Sequence, residues 1–152
     1  MLPIRKIVVP TDFSEPAREG FRQARELAEH FGAELLVVHV NAPVEIIPAG
    51  HGTVAFNVAD YQKEMEAAAQ TRMQEVIAAE KDIPVSLTPV MRKGNVAEEI
   101  AAAGAEHNAD LIVMATHGYS GWKKLLLGSV TERVVRTASI PVLTINAPSG
   151  TA

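Results

Sequence analysis

Five short apolar runs alternate with four stretches of helical periodicity, and this alternation restricts the fold more than any other feature of the sequence. The predicted strands are residues 4–10, 34–40, 85–91, 111–115 and 140–145. The predicted helices are a first one that ends at Gly32, then residues 58–81, 96–106 and 129–138. Strands that alternate with helices indicate a parallel sheet covered on both faces. The expected fold is an α/β, open doubly wound five-stranded parallel sheet in a single domain, residues 1–152.

Polar residues at the starts of the predicted helices are suited to cap them. Asp12 or Ser14 can cap the first helix and Asn95 the third, while Ser129 with Glu132 has capping-box spacing for the fourth. The apolar faces predicted for the first two helices are Ala17, Phe21, Ala24, Leu27, Ala28 and Phe31, and Tyr61, Met65, Ala68, Ala69, Met73, Val76 and Ile77.

A glycine-rich segment connects the fourth predicted strand to the fourth predicted helix. It contains Gly118, Gly121 and Gly128, and Ser129 follows the last glycine directly. A strand, a glycine-rich turn and a helix start commonly hold phosphate, because glycines let the backbone approach a ligand and free N–H groups face the anion. The glycines are also ordinary turn residues, and Ser129 is either a helix cap or a phosphate ligand. The segment favours a nucleotide-binding function.

The loops after the first, second and fourth strands are expected to lie together. Ligands of open α/β sheets bind beyond the carboxyl ends of the strands, where the strand order reverses. Pro10, Thr11 and Asp12 end the first strand, Val40 ends the second, and the glycine-rich segment follows the fourth. The Asp12 carboxylate is either an N-cap or an acceptor for a ribose hydroxyl or an adenine amine. These loops predict one ligand site.

Composition and missing motifs argue against several classes of function. A net charge of −4 argues against a nucleic-acid partner. No apolar run approaches the roughly 20 residues of a membrane span, so no membrane partner is expected. The absence of cysteine fits a cytoplasmic protein. A GxxxxGK[ST] loop and a G-x-S-x-G elbow are missing, and no histidine pair has metal-ligand spacing, so neither catalytic residues nor a metal site are expected.

The chain resembles the universal stress protein family in several pieces that occur in the same order. The pieces are Val9-Pro10-Thr11-Asp12-Phe13-Ser14, His39-Val40, Thr116-His117-Gly118, Gly128-Ser129-Val130 and Ile140-Pro141-Val142-Leu143. The resemblance extends from about Arg5 to Ile145. It implies the strand order 3-2-1-4-5 and homodimers formed partly through the C-terminal strand. An edge strand as apolar as residues 140–145 would otherwise be an association hazard.

Nucleotide-binding members of the family carry a glycine, two residues, a second glycine, nine residues, and then glycine with serine or threonine. Gly118, Gly128 and Ser129 match this pattern, whereas Ala115 replaces the first glycine. An alanine there either strains the backbone, if its φ is positive, or places a methyl group beside the ribose.

The resemblance implies a site for ATP, ADP or AMP, with or without Mg²⁺. Adenine is expected near the ends of the first two strands, ribose near Ala115, and phosphates near the glycine-rich segment and the start of the fourth helix. The expected nucleotide-binding residues are Pro10, Thr11, Asp12, Val40, Ala115, Thr116, His117, Gly118, Tyr119, Ser120, Gly121, Gly128, Ser129, Val130 and Thr131.

Three functions of different classes stay open at this point. The first is a cytoplasmic stress-response protein that binds an adenine nucleotide as a regulatory ligand and acts as a homodimer on unidentified protein partners. The second is a nucleotide-independent interaction protein, in which Ala115 closes the pocket and residues 41–57 and the dimer surface carry the function. The third is a slow nucleotide hydrolase or transferase, favoured least because no catalytic base is evident.

Overall fold

A five-stranded parallel sheet forms the centre of the computed structural model, which describes residues 3–44, 57–80, 82–116 and 128–146. The elements are β1 (Lys6–Pro10), α1 (Glu15–Phe31), β2 (Glu34–Asn41), α2 (Val58–Ala79), β3 (Leu87–Lys93), α3 (Val96–Glu106), β4 (Leu111–Thr116), α4 (Ser129–Thr137) and β5 (Val142–Asn146). The strand order is β3-β2-β1-β4-β5, and every pairing is parallel. The predicted fold class and strand order are confirmed.

Alternating side chains of the central strands supply the cores on the two faces of the sheet. Ile7 and Val9 of β1 face one core, to which α1 and α2 contribute, whereas Val8 faces the other, to which α3 and α4 contribute. Because both faces of the sheet are covered, the buried residues of β1 are apolar on both sides of the strand and do not alternate between apolar and polar. The sheet therefore leaves its carboxyl-terminal edge, between the two helix layers, as the place for a ligand.

The starts of α1, α2 and α3 follow polar residues in the sequence, and the end of α1 follows a glycine. Ser14 caps α1 by accepting a hydrogen bond from the backbone N–H of Ala17, and Gly32 ends the helix with a φ of 64°. Asn57 and Asn95 cap α2 and α3 in the same way as Ser14. Glycine suits the left-handed conformation that follows a helix, because it has no Cβ to clash there.

Parts of the predicted apolar faces are wrong. Phe31, Tyr61, Met65 and Ala68 are exposed, although periodicity placed them on buried helix faces. Phe31 is the last residue of α1, and α2 packs mainly on β2 and β3 at one side of the sheet. Only Ala69 and Met73 of α2 are buried. Periodicity predicts which residues share a face but not how much of that face finds a partner.

The two edge strands begin later than predicted, and so does β1, which starts at Lys6 rather than Ile4. Pairing of β3 with β2 starts at Leu87, and Val85, the predicted start, packs against the core from outside the strand. Likewise β5 starts at Val142, while the carbonyl of Pro141 accepts a hydrogen bond from the N–H of Ile112 at 3.0 Å. Within the described residues, no helix is long and apolar enough to cross a membrane.

Candidate functional site

The loop after β1 is tied to β2 by two hydrogen bonds. The N–H of Thr11 donates to the carbonyl of Val38 at 2.8 Å, and His39 Nδ1 lies 2.8 Å from the carbonyl of Thr11. Because a carbonyl only accepts, Nδ1 of His39 carries the hydrogen. Phe13 has a φ of 65°, a rare conformation for a bulky residue, and its ring lies 4.6 Å from that of His39. These contacts fix the backbone beside the site.

Asp12 does not cap α1, so that interpretation of its carboxylate is wrong. Its Oδ1 accepts a hydrogen bond from the N–H of Ser14 at 3.0 Å, which forms a local turn, and Ser14 caps the helix instead. Asp12 is exposed, and its second carboxylate oxygen accepts no hydrogen bond from the residues that the structure describes. That oxygen is available to a ligand.

The start of α4 differs from the starts of the other described helices. Its N-cap is Gly128, with φ −57° and ψ 151°, and among the described residues no side chain caps its first turn. Ser129 is the first helical residue, so the predicted Ser129–Glu132 capping box is wrong; Glu132 pairs with Arg136 at 3.1 Å. The first N–H groups of a helix have no intrahelical acceptor, and those of Ser129 and its neighbours find none elsewhere in the described part of the chain, so they can bind an anion.

Two buried threonines lie in the predicted nucleotide-binding region, and their hydroxyl groups have different surroundings. Thr116 Oγ1 donates to Asn146 Oδ1 at 2.9 Å, with the carbonyl of Ile145 at 3.3 Å. The Thr131 side chain has no hydrogen-bond partner within the described part of the chain. Each threonine is only 5% exposed. Of the two, Thr131 lines a cavity at the carboxyl-terminal edge of the sheet and Thr116 does not. The Thr131 hydroxyl therefore remains free for a ligand, whereas that of Thr116 is engaged by β5.

A cavity of about 890 Å³ lies beyond the carboxyl ends of β1, β2 and β4. This volume falls within the usual range for small-molecule sites, roughly 300–1,000 Å³. The predicted site residues that line it are Pro10, Thr11, Asp12, Val40, Ala115, Gly128, Ser129, Val130 and Thr131. Thr116 does not line it, and His117, Gly118, Tyr119, Ser120 and Gly121 lie outside the described residues. The structure thus brings together residues from four separate parts of the sequence.

Further lining residues were not predicted. They are Ser14, Pro16, Ala17, Val38, His39, Val96, Ile100 and Met114. Val38 shares a face of β2 with Val40, and Val96 and Ile100 are one turn apart at the start of α3, so the side-chain period of each element could have indicated them. Pro16 and Ala17 belong to the first turn of α1, directly after the predicted loop.

The cavity has an apolar wall and a polar wall. Val38, Val40 and Met114 belong to the core on the α3/α4 side and form part of the apolar wall. Gly128, Ser129 and Thr131 form the polar wall at the start of α4. Among the described lining residues, Asp12 is the one carboxylate and no lysine or arginine occurs. No cluster of metal-ligating side chains occurs in the described residues.

Such a cavity, at the reversal of strand order in a doubly wound sheet, is typical of α/β proteins that bind a small ligand through backbone N–H groups. The family to which this protein belongs follows from comparison with known sequences. The model of the universal stress protein family matches residues 3–146, and the chain belongs to that family.

Similar proteins include curated relatives and solved structures. Universal stress protein MJ0531 of Methanocaldococcus jannaschii is 34% identical over 146 residues, which cover 95% of this chain and 83% of that protein. The structure of protein MJ0577 of the same organism has a TM-score of 0.73 and 26% identity, covering 97% of this chain and 99% of that one. A universal stress protein of Archaeoglobus fulgidus, solved with dAMP, has a TM-score of 0.65 and 21% identity, covering 96% and 100%.

Proposed function

We propose that this universal stress protein is a single-domain cytoplasmic protein that binds an adenine nucleotide as a regulatory ligand and acts as a homodimer. The nucleotide is ATP, ADP or AMP, with any Mg²⁺ carried by its phosphates. The occupied and empty states would present different surfaces to a protein partner, because a ligand shifts a conformational equilibrium by its differential affinity for the two states.

The start of α4 is the observation that carries the proposal. Ser14, Asn57 and Asn95 cap the other three described helices through their side chains, whereas Gly128 offers α4 no acceptor. The free N–H groups, the positive end of the helix dipole and the Thr131 hydroxyl together suit a phosphate. Hydrogen bonds from N–H groups can bind an anion without a lysine or arginine side chain.

The remaining walls suit a nucleoside. The apolar wall that includes Val38 and Met114 fits the faces of a purine, which gains by leaving water. The free oxygen of Asp12 can accept from an adenine amine or a ribose hydroxyl. The choice of adenine rests on the resemblance to nucleotide-binding members of the universal stress protein family; the Archaeoglobus fulgidus relative was solved with dAMP, and at its level of identity that likeness establishes the fold.

The homodimer is proposed from the difference between the two sheet edges. At the β3 edge, Pro89 cannot donate to another strand, and Arg92 and Lys93 are paired with glutamates. The β5 edge, Val142–Asn146, carries neither a charge nor a proline, and Leu143 is 40% exposed. Natural proteins protect edge strands against further pairing, so an unprotected apolar edge fits a second copy of the same strand.

Purified protein, prepared without added nucleotide, tests the proposed ligand. The protein is denatured, released small molecules are identified by mass-detected chromatography, and emptied protein is titrated calorimetrically with AMP, ADP and ATP, each with and without Mg²⁺. We expect saturable binding of at least one of them at one site per chain. Failure of all three would contradict the proposal and favour the nucleotide-independent interaction protein, whereas measurable phosphate release would favour the hydrolase.

A further inference from the structure

Ala115, the residue that replaces a family glycine, directs its methyl group toward α1. It lies in the extended backbone of β4, two residues after Val113, which faces the core beside α1. Positive φ is found at other residues, so the expectation of backbone strain at Ala115 is wrong. A Cβ placed on Gly20 of α1 would lie 3.2 Å from Ala115 Cβ and 3.0 Å from Ala115 N. The methyl group of Ala115 therefore occupies space that a side chain at position 20 would need.

Gly20 is otherwise difficult to explain. It is a buried residue in the interior of a 17-residue helix, where glycine is the least favourable residue apart from proline. Its φ is not in the left-handed region, so the backbone conformation does not require glycine. The close approach of α1 to the end of β4 is what excludes a larger side chain there.

The contact between Gly20 and Ala115 lies directly behind the cavity. Ala115 lines the cavity, and so does Ala17, which precedes Gly20 by almost one helical turn. A methyl group added at Gly20 would have to displace either α1 or the backbone of β4 by a few tenths of an ångström. Either displacement changes the distance between two walls of the cavity.

We propose that Gly20 and Ala115 form a size-matched pair, in which Gly20 is a positioning residue for the nucleotide site. Because Gly20 has no side chain, the methyl group of Ala115 fits against α1 and does not occupy the volume of the ligand. This inference rests on the proposed nucleotide function and deepens it, because it assigns the spacing between two walls of the nucleotide site to Gly20, a residue that does not itself line the cavity.

Three variants test the pair: Gly20→Ala, Ala115→Gly and the double variant. We expect Gly20→Ala to weaken calorimetric binding of AMP or Mg-ATP about tenfold, which corresponds to about 1.4 kcal/mol. Ala115→Gly is the second single variant of the cycle, and the double variant should recover part of the affinity lost in Gly20→Ala, because the methyl–methyl contact is removed while the contact with Ala115 N remains. Rescue by a second substitution distinguishes positioning from a general loss of folding.

Gly104→Ala is the matched control. Gly104 is also a buried helical glycine, but an added Cβ would approach the flexible end of Ile140, at 2.9 Å from Cδ1, and neither residue lines the cavity. We expect its nucleotide affinity to equal that of the unaltered protein.

Melting temperatures of the same variants separate failure of the pair from failure of the proposed function. Non-additive shifts for Gly20→Ala and Ala115→Gly support the size-matched contact even if no nucleotide binds, an outcome that would contradict the proposed function and with it the positioning role. If the unaltered protein binds nucleotide, unchanged affinity in Gly20→Ala overturns the positioning role, and additive melting shifts overturn the pair.

Discussion

The hydroxyl groups of Thr131 and Thr116 allow binding and stability to be separated at the level of single residues. Thr131→Val keeps the shape of the side chain and removes a hydroxyl with no partner in the described part of the chain. We expect nucleotide affinity to fall about tenfold, since a hydrogen bond to a charged group contributes about 1.5–3 kcal/mol, with little loss of thermal stability. Calorimetric titration and thermal unfolding of the same sample measure both.

Thr116→Val is the matched substitution at the other buried threonine. It removes the hydrogen bond to Asn146, so we expect the free energy of unfolding to fall by about 1 kcal/mol. Its effect on affinity should be smaller than that of Thr131→Val. Equal losses of affinity in the two variants would contradict the assignment of Thr131 as the ligand-facing hydroxyl.

Sequence patterns located most described residues of the cavity but not their individual roles. The spacing of Gly128 and Ser129 indicated the polar wall, yet the same serine also matched a capping box that the helix does not form. Gly20 gave no signal, because its importance arises from the approach of α1 to β4, two elements far apart in the chain. Contacts between distant elements are not encoded in local periodicity.

At the level of the helices, a side-chain cap on the first turn of α4 is predicted to raise the stability of the protein and to lower its affinity for nucleotide. Gly128→Asp and Gly128→Asn both supply a side-chain acceptor for the first turn, so each should stabilise the protein by a few tenths of a kcal/mol, with the aspartate gaining more from the helix dipole. The acceptor would compete with a phosphate for the same N–H groups.

We expect both variants to bind nucleotide more weakly, and Gly128→Asp at least tenfold more weakly than Gly128→Asn, because its charge repels the phosphate. The two side chains have nearly the same size, so their comparison isolates the charge. A stabilised Gly128→Asp protein with unaltered affinity would show that the start of α4 does not bind the anion.

The ion pairs that hold β3 predict how stability changes in acid. A hydrogen bond from Arg92 lowers the pKa of Glu106, and one from Lys93 lowers the pKa of Glu66, each from an ordinary value of 4.5. A lowered folded-state pKa gives stability that is present above the ordinary value and lost as the pH falls through the folded value. We expect the melting temperature to decline more steeply below about pH 4.5 than above it.

Arg92→Gln should flatten that decline, because Glu106 loses the hydrogen bond that lowers its pKa. Arg136→Gln breaks an exposed pair within α4 and serves as the control. Melting curves from pH 7 to pH 3 measure the effect, and parallel declines in the unaltered protein and Arg92→Gln would exclude a role for the β3 pairs.

For the helices and strands, local signals predicted the type of each element and placed the predicted bounds within two residues of the observed ones. Asn95 and the apolar period fixed α3 at Val96–Glu106, as predicted. The edge strands were less predictable, because their bounds depend on where pairing with β2 or β4 begins, and neither Val85 nor Ile140 carries that information.

At the scale of the whole molecule, the β5 edge predicts the oligomeric state. Leu143→Lys places a charge on the exposed edge strand, so we expect the proposed homodimer to dissociate to a monomer in analytical ultracentrifugation. Met65→Lys is the control, since Met65 is 48% exposed on α2, far from β5 in the strand order. A monomeric unaltered protein, or a dimer that survives Leu143→Lys, would contradict assembly through β5.

The overall architecture was predictable because it depends on patterns that extend along the whole chain. Alternating strands and helices indicated the parallel sheet, and continuous apolar runs such as Leu35–Val38 indicated strands buried on both faces. The cavity could be located only as a sheet edge, because its volume and its apolar wall depend on how α3 and α4 pack against that edge.

The most direct test of the central claim is a two-dimensional ¹H–¹⁵N NMR titration of nucleotide-free protein with AMP and with Mg-ATP. We predict that the amide signals of Ser129, Val130 and Thr131 shift most strongly, together with those of Thr11 and Ala115 across the cavity. Saturable shifts confined to another surface, or no shifts at millimolar nucleotide, would contradict a phosphate site at the start of α4.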